Sequence, residues 1–446
     1  MSDVFFLIIR RLRTPLIVLI SVYAIATLGM TFIPGIDPDG KSWHMSVFQA
    51  FYFVSFMGTT IGFGEVPYPF TETQRAWVLL CIYTSVTAWL YCIGSMLRLV
   101  QDETFRYAVA RRAFQLSIKR IDRPFHIICG YGETGQLIAR GLSEFGIQTV
   151  IIDLDYERLK IIELQEMSIP PIVLGGDITE PDNLIAAGIN RSNCMGVIAV
   201  TPNDHTNLQI AVASKLVNSN VPIICRSEIQ DEADNMASFG TDAIIDPYLV
   251  FGQRLSLLTN NPALHRIHNW FINQHSAVHL DDSIANHGLP TGNWIICGYG
   301  RFGKAIEQFS DSTHVKLTIV DIDPEASGAP KGSIQGRGTE AKTLTEAQIE
   351  NASVIVAAGN DDANNLSILI TAKQLNSNIV TIGRVSKAAN HQLFMHAECD
   401  YIMRRSQIVA NEVLTIISRP LVTKFLQYSN SLSPSATEPL SHKFVT

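Results

Sequence analysis

Ile127-Ile128-Cys129-Gly130-Tyr131-Gly132-Glu133-Thr134-Gly135 returns 168 residues later as Ile295-Ile296-Cys297-Gly298-Tyr299-Gly300-Arg301-Phe302-Gly303. Each copy reads as a short β-strand, a Gly-x-Gly-x-x-Gly turn and the start of a helix, Gln136 to Phe145 in the first and Lys304 to Phe309 in the second. A second strand follows in each, Thr149 to Asp153 and Leu317 to Asp321, at the same offset. Asp153 and Asp321 close those strands about 20 residues past the glycines, as in a dinucleotide-binding unit. In such a turn the first glycine permits the tight bend. The second lets the backbone approach a phosphate, and the third lets the helix pack on the strand. The helix N-terminus offers N–H groups and a positive dipole to the phosphates. The aspartate accepts hydrogen bonds from ribose hydroxyls and repels a 2′-phosphate, so NAD(H) or an adenine nucleotide (ATP or ADP) is expected rather than NADP.

More of the unit repeats. Gly176-Asp177-Ile178-Thr179 matches Gly336-Arg337-Gly338-Thr339. Thr201, Asp204 and Asn207 match Gly359, Asp362 and Asn365, and Arg226 and Asp242 match Arg384 and Asp400, with the charged and amide residues offset by 158. Two copies with the same trailing residues indicate duplication of one α/β domain. The second is eroded: 15 positions separate Asp321 from Gly336, against 23 between Asp153 and Gly176. The helix expected over Tyr156 to Glu166 is read as having no counterpart, Ala326 to Gly332 reads as loop, and Asp177 becomes Arg337. The adenine end of the second site is therefore expected to differ, and a purely structural second copy is the alternative. Asp204, Asn207 and Arg226 either serve a ligand or brace loops.

Ahead of the repeat the chain is apolar. Of its 446 residues, 47% are hydrophobic and 17% charged, which suits a chain with part of its mass in lipid. Thr14 to Ile36 and Ala76 to Leu97 are each long enough to cross a bilayer, which takes roughly 20 helical residues. Val47 to Gly58 is apolar for only 12 residues, too short to span, and fits a re-entrant helix; a third spanning helix is the alternative. Arg10, Arg11 and Arg13 precede the first span. Arg98, Arg106, Arg111, Arg112, Lys119, Arg120 and Arg123 follow the second, so both termini are expected in the cytoplasm. The seven cysteines include no Cys-x-x-Cys, which points to a reducing compartment without a zinc site. A net charge of −7 gives no nucleic-acid footprint.

Directly after the short helix comes Thr59-Thr60-Ile61-Gly62-Phe63-Gly64-Glu65. A strip that turns a row of backbone carbonyls towards an ion path needs alternating conformations, which glycine reaches cheaply at Gly62 and Gly64. Thr60 adds a hydroxyl oxygen. Residues 14–97 resemble the two-helix pore module of potassium channels, with Thr60-Ile61-Gly62-Phe63-Gly64 standing for the family's Thr-Val-Gly-Tyr-Gly and Phe48 to Met57 for its pore helix. The resemblance implies a homotetramer around one pore, with the carbonyls of Thr60, Ile61, Gly62 and Phe63 lining potassium sites. Two residues depart from the pattern. Phe63 lacks the tyrosine hydroxyl that braces the filter, though phenylalanine occurs there in some members, and Glu65 replaces aspartate.

Residues 125–250 and 292–405 resemble the RCK/KTN nucleotide-binding lobe, of the TrkA-N type, that regulates potassium channels and transporters. The resemblance implies that Gly130, Gly132, Gly135 and Asp153, with Asp177, hold a nucleotide in the first lobe. In the second lobe those roles fall to Gly298, Gly300, Arg301, Gly303 and Asp321. Arg301 matches an arginine that meets ligand phosphates in members with a Gly-x-Gly-Arg turn. Glu133 stands there in the first lobe and opposes an extra phosphate, so a dinucleotide is expected in the first site and an adenine nucleotide in the second.

The scheme is a membrane all-α pore module, with two spans plus a re-entrant pore helix, followed by two α/β Rossmann-like domains. The pore module takes residues 1–100, a linker helix 101–124 that extends the second span, and the first lobe 125–250. A crossover helix and connector take 251–291, the second lobe 292–405, a terminal helix 406–428 with a kink or end at Pro420, and a loose tail 429–446. His265, His268, His275 and His279 alternate faces, which argues against a metal cluster, so potassium in the filter is the one metal expected. The expected protein is a potassium-selective channel of the cell (inner) membrane, multi-pass, with eight lobes forming a nucleotide-gated ring. The alternatives are a nucleotide-regulated potassium transporter subunit, which needs more spans or a partner chain, and a membrane-tethered NAD-dependent oxidoreductase. The latter needs a substrate domain with a placed acid or base; none is read, so no catalytic residue is assigned and the chain is not expected to be an enzyme.

Overall fold

A computed structural model of the chain describes residues 3–162, 165–273, 288–310, 312–429 and 437–439. The chain divides into two compact units, Met1–Ala113 and Phe114–Thr446, with the division inside one helix.

The first unit opens with helix α1 (Asp3–Phe32). It stops short of the expected Ile36, because the residue before Pro34 is driven out of helical backbone. Gly35–Ile36 (β1) instead pairs antiparallel with Ser42–Trp43 (β2). Helix α2 (Val47–Gly58) is the short apolar helix, and α3 (Glu72–Gln101) the second long one. Each begins with a capping box, Ser46 with Gln49 and Thr71 with Gln74, which satisfies two orphan N–H groups reciprocally. Met30, Met45, Ala50, Phe53, Val54, Phe56, Phe70 and Cys81 form the core between the three helices. By length and composition, Ile8–Phe32 and Glu72–Gln101 are each able to cross a membrane. Their outer faces stay apolar and uncovered within the chain, with Ile20 and Leu90 each 66% exposed.

The linker is not a continuation of α3. Asp102 has extended backbone (ψ 122°) and caps a new helix, α4 (Glu103–Lys119), accepting the Phe105 N–H at 3.1 Å. An acceptor side chain at this point closes one helix and starts the next. Phe114 and Ile118 of α4 lie in the core of the second unit.

The second unit holds two copies of one fold. The first runs β3 (Phe125–Cys129), α5 (Glu133–Glu144), β4 (Gln148–Asp153), α6 (Tyr156–Ile162), β5 (Ile172–Gly175), α7 (Pro181–Ala186), β6 (Cys194–Ala199), α8 (Asp204–Val217), β7 (Ile223–Arg226), α9 (Gln230–Ser238) and β8 (Ala243–Ile245). Helices α10 (Pro247–Asn260) and α11 (Pro262–Asn273) follow. The second runs β9 (Gly292–Cys297), α12 (Arg301–Phe309), β10 (Val315–Asp321), α13 (Pro324–Ser327), β11 (Ile334–Gln335), α14 (Ala341–Glu346), β12 (Ala352–Ala357), α15 (Asp362–Leu375), β13 (Val380–Val385), α16 (His391–His396) and β14 (Tyr401–Arg404). Helices α17 (Arg405–Ser418) and α18 (Pro420–Ser429) close it, broken at Pro420 as the sequence predicts. The parallel sheets have the orders β5-β4-β3-β6-β7-β8 and β11-β10-β9-β12-β13-β14, the doubly wound arrangement in both. Helix α6 does have a counterpart, the single turn α13. The expected tail lies outside the described residues except for Ser429 and 437–439. His275 and His279 lie outside them too.

The trailing helices are exchanged between lobes. Helix α17, which follows the second lobe, covers the first sheet with Val409, Ala410, Val413 and Leu414 against Ile138, Leu142 and Ile151. Helix α10, which follows the first lobe, covers the second with Tyr248, Phe251, Leu255 and Leu258 against Ile296, Phe302 and Ile306. Burying one such side chain stabilises by about 1.5–3 kcal/mol, so each lobe's core depends on the other's helix. Arg254 and Glu412 occupy equivalent places in the two helices and pair at 2.9 Å, as repeat-related positions do across a pseudo-twofold axis.

One buried base makes the first lobe acid-sensitive. His126, inside β3, has a buried Nδ1 that meets no partner among the described residues, and burial pushes its imidazole down to about 4. An unfolded histidine titrates near about 6.5. The unfolded chain binds a proton that the folded lobe refuses. Stability therefore falls as pH drops below about 6.5, and the loss is complete below about 4. At about pH 5 it is roughly 2 kcal/mol. Thermal unfolding at neutral and acid pH is expected to show this slope, and His126→Leu to make it shallower, the remainder coming from the buried His265 and His268, pushed down to about 3 and 4; an unchanged slope places the acid sensitivity elsewhere.

Candidate functional site

The first unit presents a backbone strip. Beyond α2, Thr60 (φ 63°), Gly62 (67°) and Gly64 (93°) are left-handed, so the hand changes at every second residue. Thr60 is β-branched, and a residue of that kind in this region is a strained outlier of the sort that collects at functional sites. The strip hangs from the helix end: Ile61 N–H donates to the Phe56 carbonyl at 3.0 Å and Thr60 N–H to the Met57 carbonyl at 3.1 Å. The Phe63 ring meets Phe56 edge-on, centroids 5.4 Å apart, so the predicted lack of a hydroxyl is met by an aromatic contact within the chain. Beyond the strip, Glu65 accepts two hydrogen bonds from Arg75, at 2.9 and 3.3 Å, and one from the Phe70 N–H at 2.8 Å. Those bonds, Arg75 first, hold its carboxyl below the usual range.

In the second unit the glycine turns take the predicted shapes. Gly130 has φ +100° and Gly298 +104°, open only to glycine without strain. A Cβ on Gly135 would stand 2.0 Å from the Gly130 carbonyl oxygen, and one on Gly303 2.4 Å from that of Gly298, so helix and strand approach as closely as backbone allows. Gly132 and Gly300 have nothing within 4 Å of a built Cβ and neither caps its helix with a side chain. No side chain caps the first N–H groups of α5 or α12, which leaves them able to receive an anion.

The two strand-end aspartates serve the turns. Asp153 accepts the Tyr131 N–H at 2.5 Å and the Asp155 N–H at 2.7 Å; Asp321 accepts those of Tyr299 and Asp323 at 2.6 and 2.9 Å. A carboxylate has about four acceptor positions, so two remain on each. Asp177 is exposed and accepts the Thr179 hydroxyl at 2.7 Å and its N–H at 2.9 Å, which hold its carboxyl below the usual range. Asn207 and Asn365 brace loops, bonding Thr201 and the Arg226 carbonyl in one lobe, Gly359 and the Arg384 carbonyl in the other. Asp204 accepts the Glu228 N–H at 2.7 Å, and Asp362 the Ser386 N–H at 2.8 Å, at equivalent places.

Above the first turn lies a cleft of about 380 Å³ lined by Gly132, Thr134, Arg158 and Arg226, and also by Ser386, Arg405 and Ser406 of the second half of the chain. Glu133 is paired with Arg404 at 3.0 Å, so its charge is met from the other lobe. At the second turn Arg301 and Arg384 lie over the Tyr248 ring, 5.6 and 5.2 Å from its centre, with Tyr248 supplied by α10. Glu228 pairs with Arg226, with Arg405 at 3.0 Å and with Arg301 at 3.1 Å. Burial pushes its carboxyl up, but the three guanidinium groups outweigh this and hold it below the usual range. Sequence reading brings out Arg226 and Arg301 but misses Glu228, Tyr248, Arg404 and Arg405. The one local signal is Arg404-Arg405 standing where the first copy has Asp246-Pro247.

The TrkA-N domain family matches residues 126–247 and 294–405, more than half of the chain. The chain belongs to the TrkA-N domain family. Its TrkA-N domains are the two lobes described above. Potassium channel protein 1 of Methanocaldococcus jannaschii is 31% identical over 215 residues, 48% of this chain and 63% of that protein. The voltage-gated potassium channel Kch of Escherichia coli is 23% identical over 226 residues, 49% of this chain and 51% of that one. The chain thus spans under two thirds of the length of these relatives. Among solved structures, the GsuK channel aligns with a TM-score of 0.55 at 17% identity, over 94% of this chain and 100% of that one. The GsuK channel bound to NAD aligns with a TM-score of 0.53 at 15% identity, over 94% and 85%. The same protein bound to ADP gives 0.53 at 17%, over 94% and 100%. At this identity the likeness is one of fold: two long helices followed by two TrkA-N lobes.

Proposed function

We propose that the chain is a subunit of a potassium-selective channel in the cell membrane, with both termini cytoplasmic, whose conduction is set by nucleotides held in its TrkA-N lobes. The observation that carries this is the left-handed backbone at Thr60, Gly62 and Gly64, on the end of a helix too short to span and between two that are long enough. Backbone that changes hand at alternate residues turns successive carbonyls to one side. Four copies around an axis then make rings of oxygens that replace a cation's water. The C-terminal end of α2 adds the negative pole of its dipole beside the strip. The uncovered faces of α1 and α3 suit lipid and neighbouring copies. Relatives named as potassium channels support the ion. GsuK, solved with NAD and with ADP, supports the ligand class.

Four chains supply eight lobes, enough for a ring without further subunits. NAD(H) or an adenine nucleotide lies with its phosphates on the N-termini of α5 and α12, and its ribose on Asp153 or Asp321. Asp177 serves the adenine end of the first site. The ligand shifts the pore by its difference in affinity for the two ring arrangements, and α4 carries that difference out of the lobe core. The lobes regulate; no catalytic residue is assigned. Flux of potassium and sodium into liposomes, with and without NAD+, NADH, ATP and ADP, tests the reading. Potassium is expected to exceed sodium, with at least one nucleotide changing the rate. Equal passage of both ions removes selectivity, and indifference to every nucleotide removes gating.

A further inference from the structure

Glu228 stands just past β7 with a side chain only 4% exposed, and it holds three arginines of separate origin. Arg226 and Arg405 line the first cleft. Arg301 is the first residue of α12, on the phosphate turn of the second lobe. One buried carboxylate is therefore shared between the cations of the first cleft and the arginine of the second phosphate turn. Its backbone is fixed by Asp204, so it does not follow any one of them. Three guanidinium groups face this carboxylate, and the buried Nε of Arg226 meets no partner among the described residues. The same holds at the second turn. Arg384, 5% exposed, donates to the neutral Asn360 at 2.6 Å and keeps an unpartnered Nε. Buried donors left in this state cost free energy that an anion relieves.

We infer that Glu228 couples the first cleft and the second phosphate turn of one chain antagonistically, so that an anion at either weakens the other; this rests on the reading of both as nucleotide sites. A phosphate on the second turn draws Arg301 from Glu228. The carboxylate's field then falls on Arg226 and Arg405 alone and ties them more firmly, which makes them poorer partners for a phosphate in the first cleft. A phosphate in the first cleft acts the same way on Arg301. Linkage requires the two effects to be equal.

Calorimetric titration of the full chain in detergent tests this, with NAD+ alone and with NAD+ at saturating ADP. Saturating ADP is expected to weaken NAD+ roughly fivefold or more. Gly300→Val, whose side chain fills the open space at the α12 N-terminus, is expected to remove the effect of ADP. Persistence of the effect in that variant means simple competition for one cleft and overturns the coupling. Glu228→Gln is expected to tighten NAD+ and make it indifferent to ADP. Should that variant fail to fold, Arg301→Gln serves, since Arg301 is half-exposed. Without ADP, that variant is expected to bind NAD+ as weakly as the ADP-saturated parent. Independent binding of the two nucleotides, or unchanged NAD+ affinity in the folded variants, overturns the inference. Failure of the parent to bind either nucleotide removes the reading of the clefts, and the coupling with it.

Discussion

Gly62→Ala is expected to abolish potassium flux, by at least about a hundredfold, while leaving nucleotide binding intact. A built Cβ at Gly62 meets nothing within 4 Å in the chain, so no internal clash is at work. The backbone is. At φ 67° an L-residue costs about 1–2 kcal/mol. The strip holds little to oppose that, since it is anchored at its ends through Phe56, Met57 and Glu65. In the proposed assembly of four copies around one axis the cost recurs fourfold and relaxes by turning carbonyls out of the ion path. Gly40 supplies the control. It has φ 77° and equally open space, but lies in the loop between β1 and β2. Gly40→Ala is expected to conduct normally. Liposome flux together with calorimetric binding of nucleotide checks both variants; equal loss in the two would trace the effect to general strain and not to the strip.

Within the first turn two neighbouring glycines are expected to fail in opposite ways. Gly135→Ala drives a methyl to 2.0 Å from the Gly130 carbonyl, which is backbone and cannot swing aside. The first lobe is expected to lose about 3 kcal/mol, seen as a lowered thermal transition. Gly132→Val meets nothing within 4 Å, and at φ −72° any residue is at ease. That variant is expected to unfold like the parent and yet to bind nucleotide at least about a hundredfold more weakly, because its side chain fills the path to the α5 N-terminus. Thermal unfolding beside calorimetry separates the two. Nucleotide bound normally by Gly132→Val would move the phosphate site away from this turn.

Glycine positions of this kind are legible in the sequence because they depend on close neighbours along the chain. The turn glycines, the capped short helix and the alternating strip are set by residues a few positions apart, whose sterics and hydrogen bonds repeat wherever the pattern recurs. Two elements depart from their sequence pattern for equally local reasons. Asp102 reads as one more polar residue in a long helix, whereas its side chain caps α4 and breaks the run. The eroded second copy reads as bare of α6, whereas Asp323 caps a single surviving turn through the Ala326 N–H.

The residues alone are enough to read two span-length helices around a short apolar one, a strip with glycine at alternate positions and two Gly-x-Gly-x-x-Gly turns, since period, turn chemistry and helix caps act within a few residues. The fold alone reveals that each lobe's sheet is covered by the other lobe's trailing helix, that Arg405 lines the cleft of the first lobe and Tyr248 stacks on arginines at the second turn, each away from the lobe it follows, and that Glu228 binds arginines from both. Glu228 and Arg405 are 177 residues apart. No spacing rule reaches that far; the pair exists because burying two apolar helix faces brings the lobes together, and a carboxylate sealed in that seam is held by cations from each.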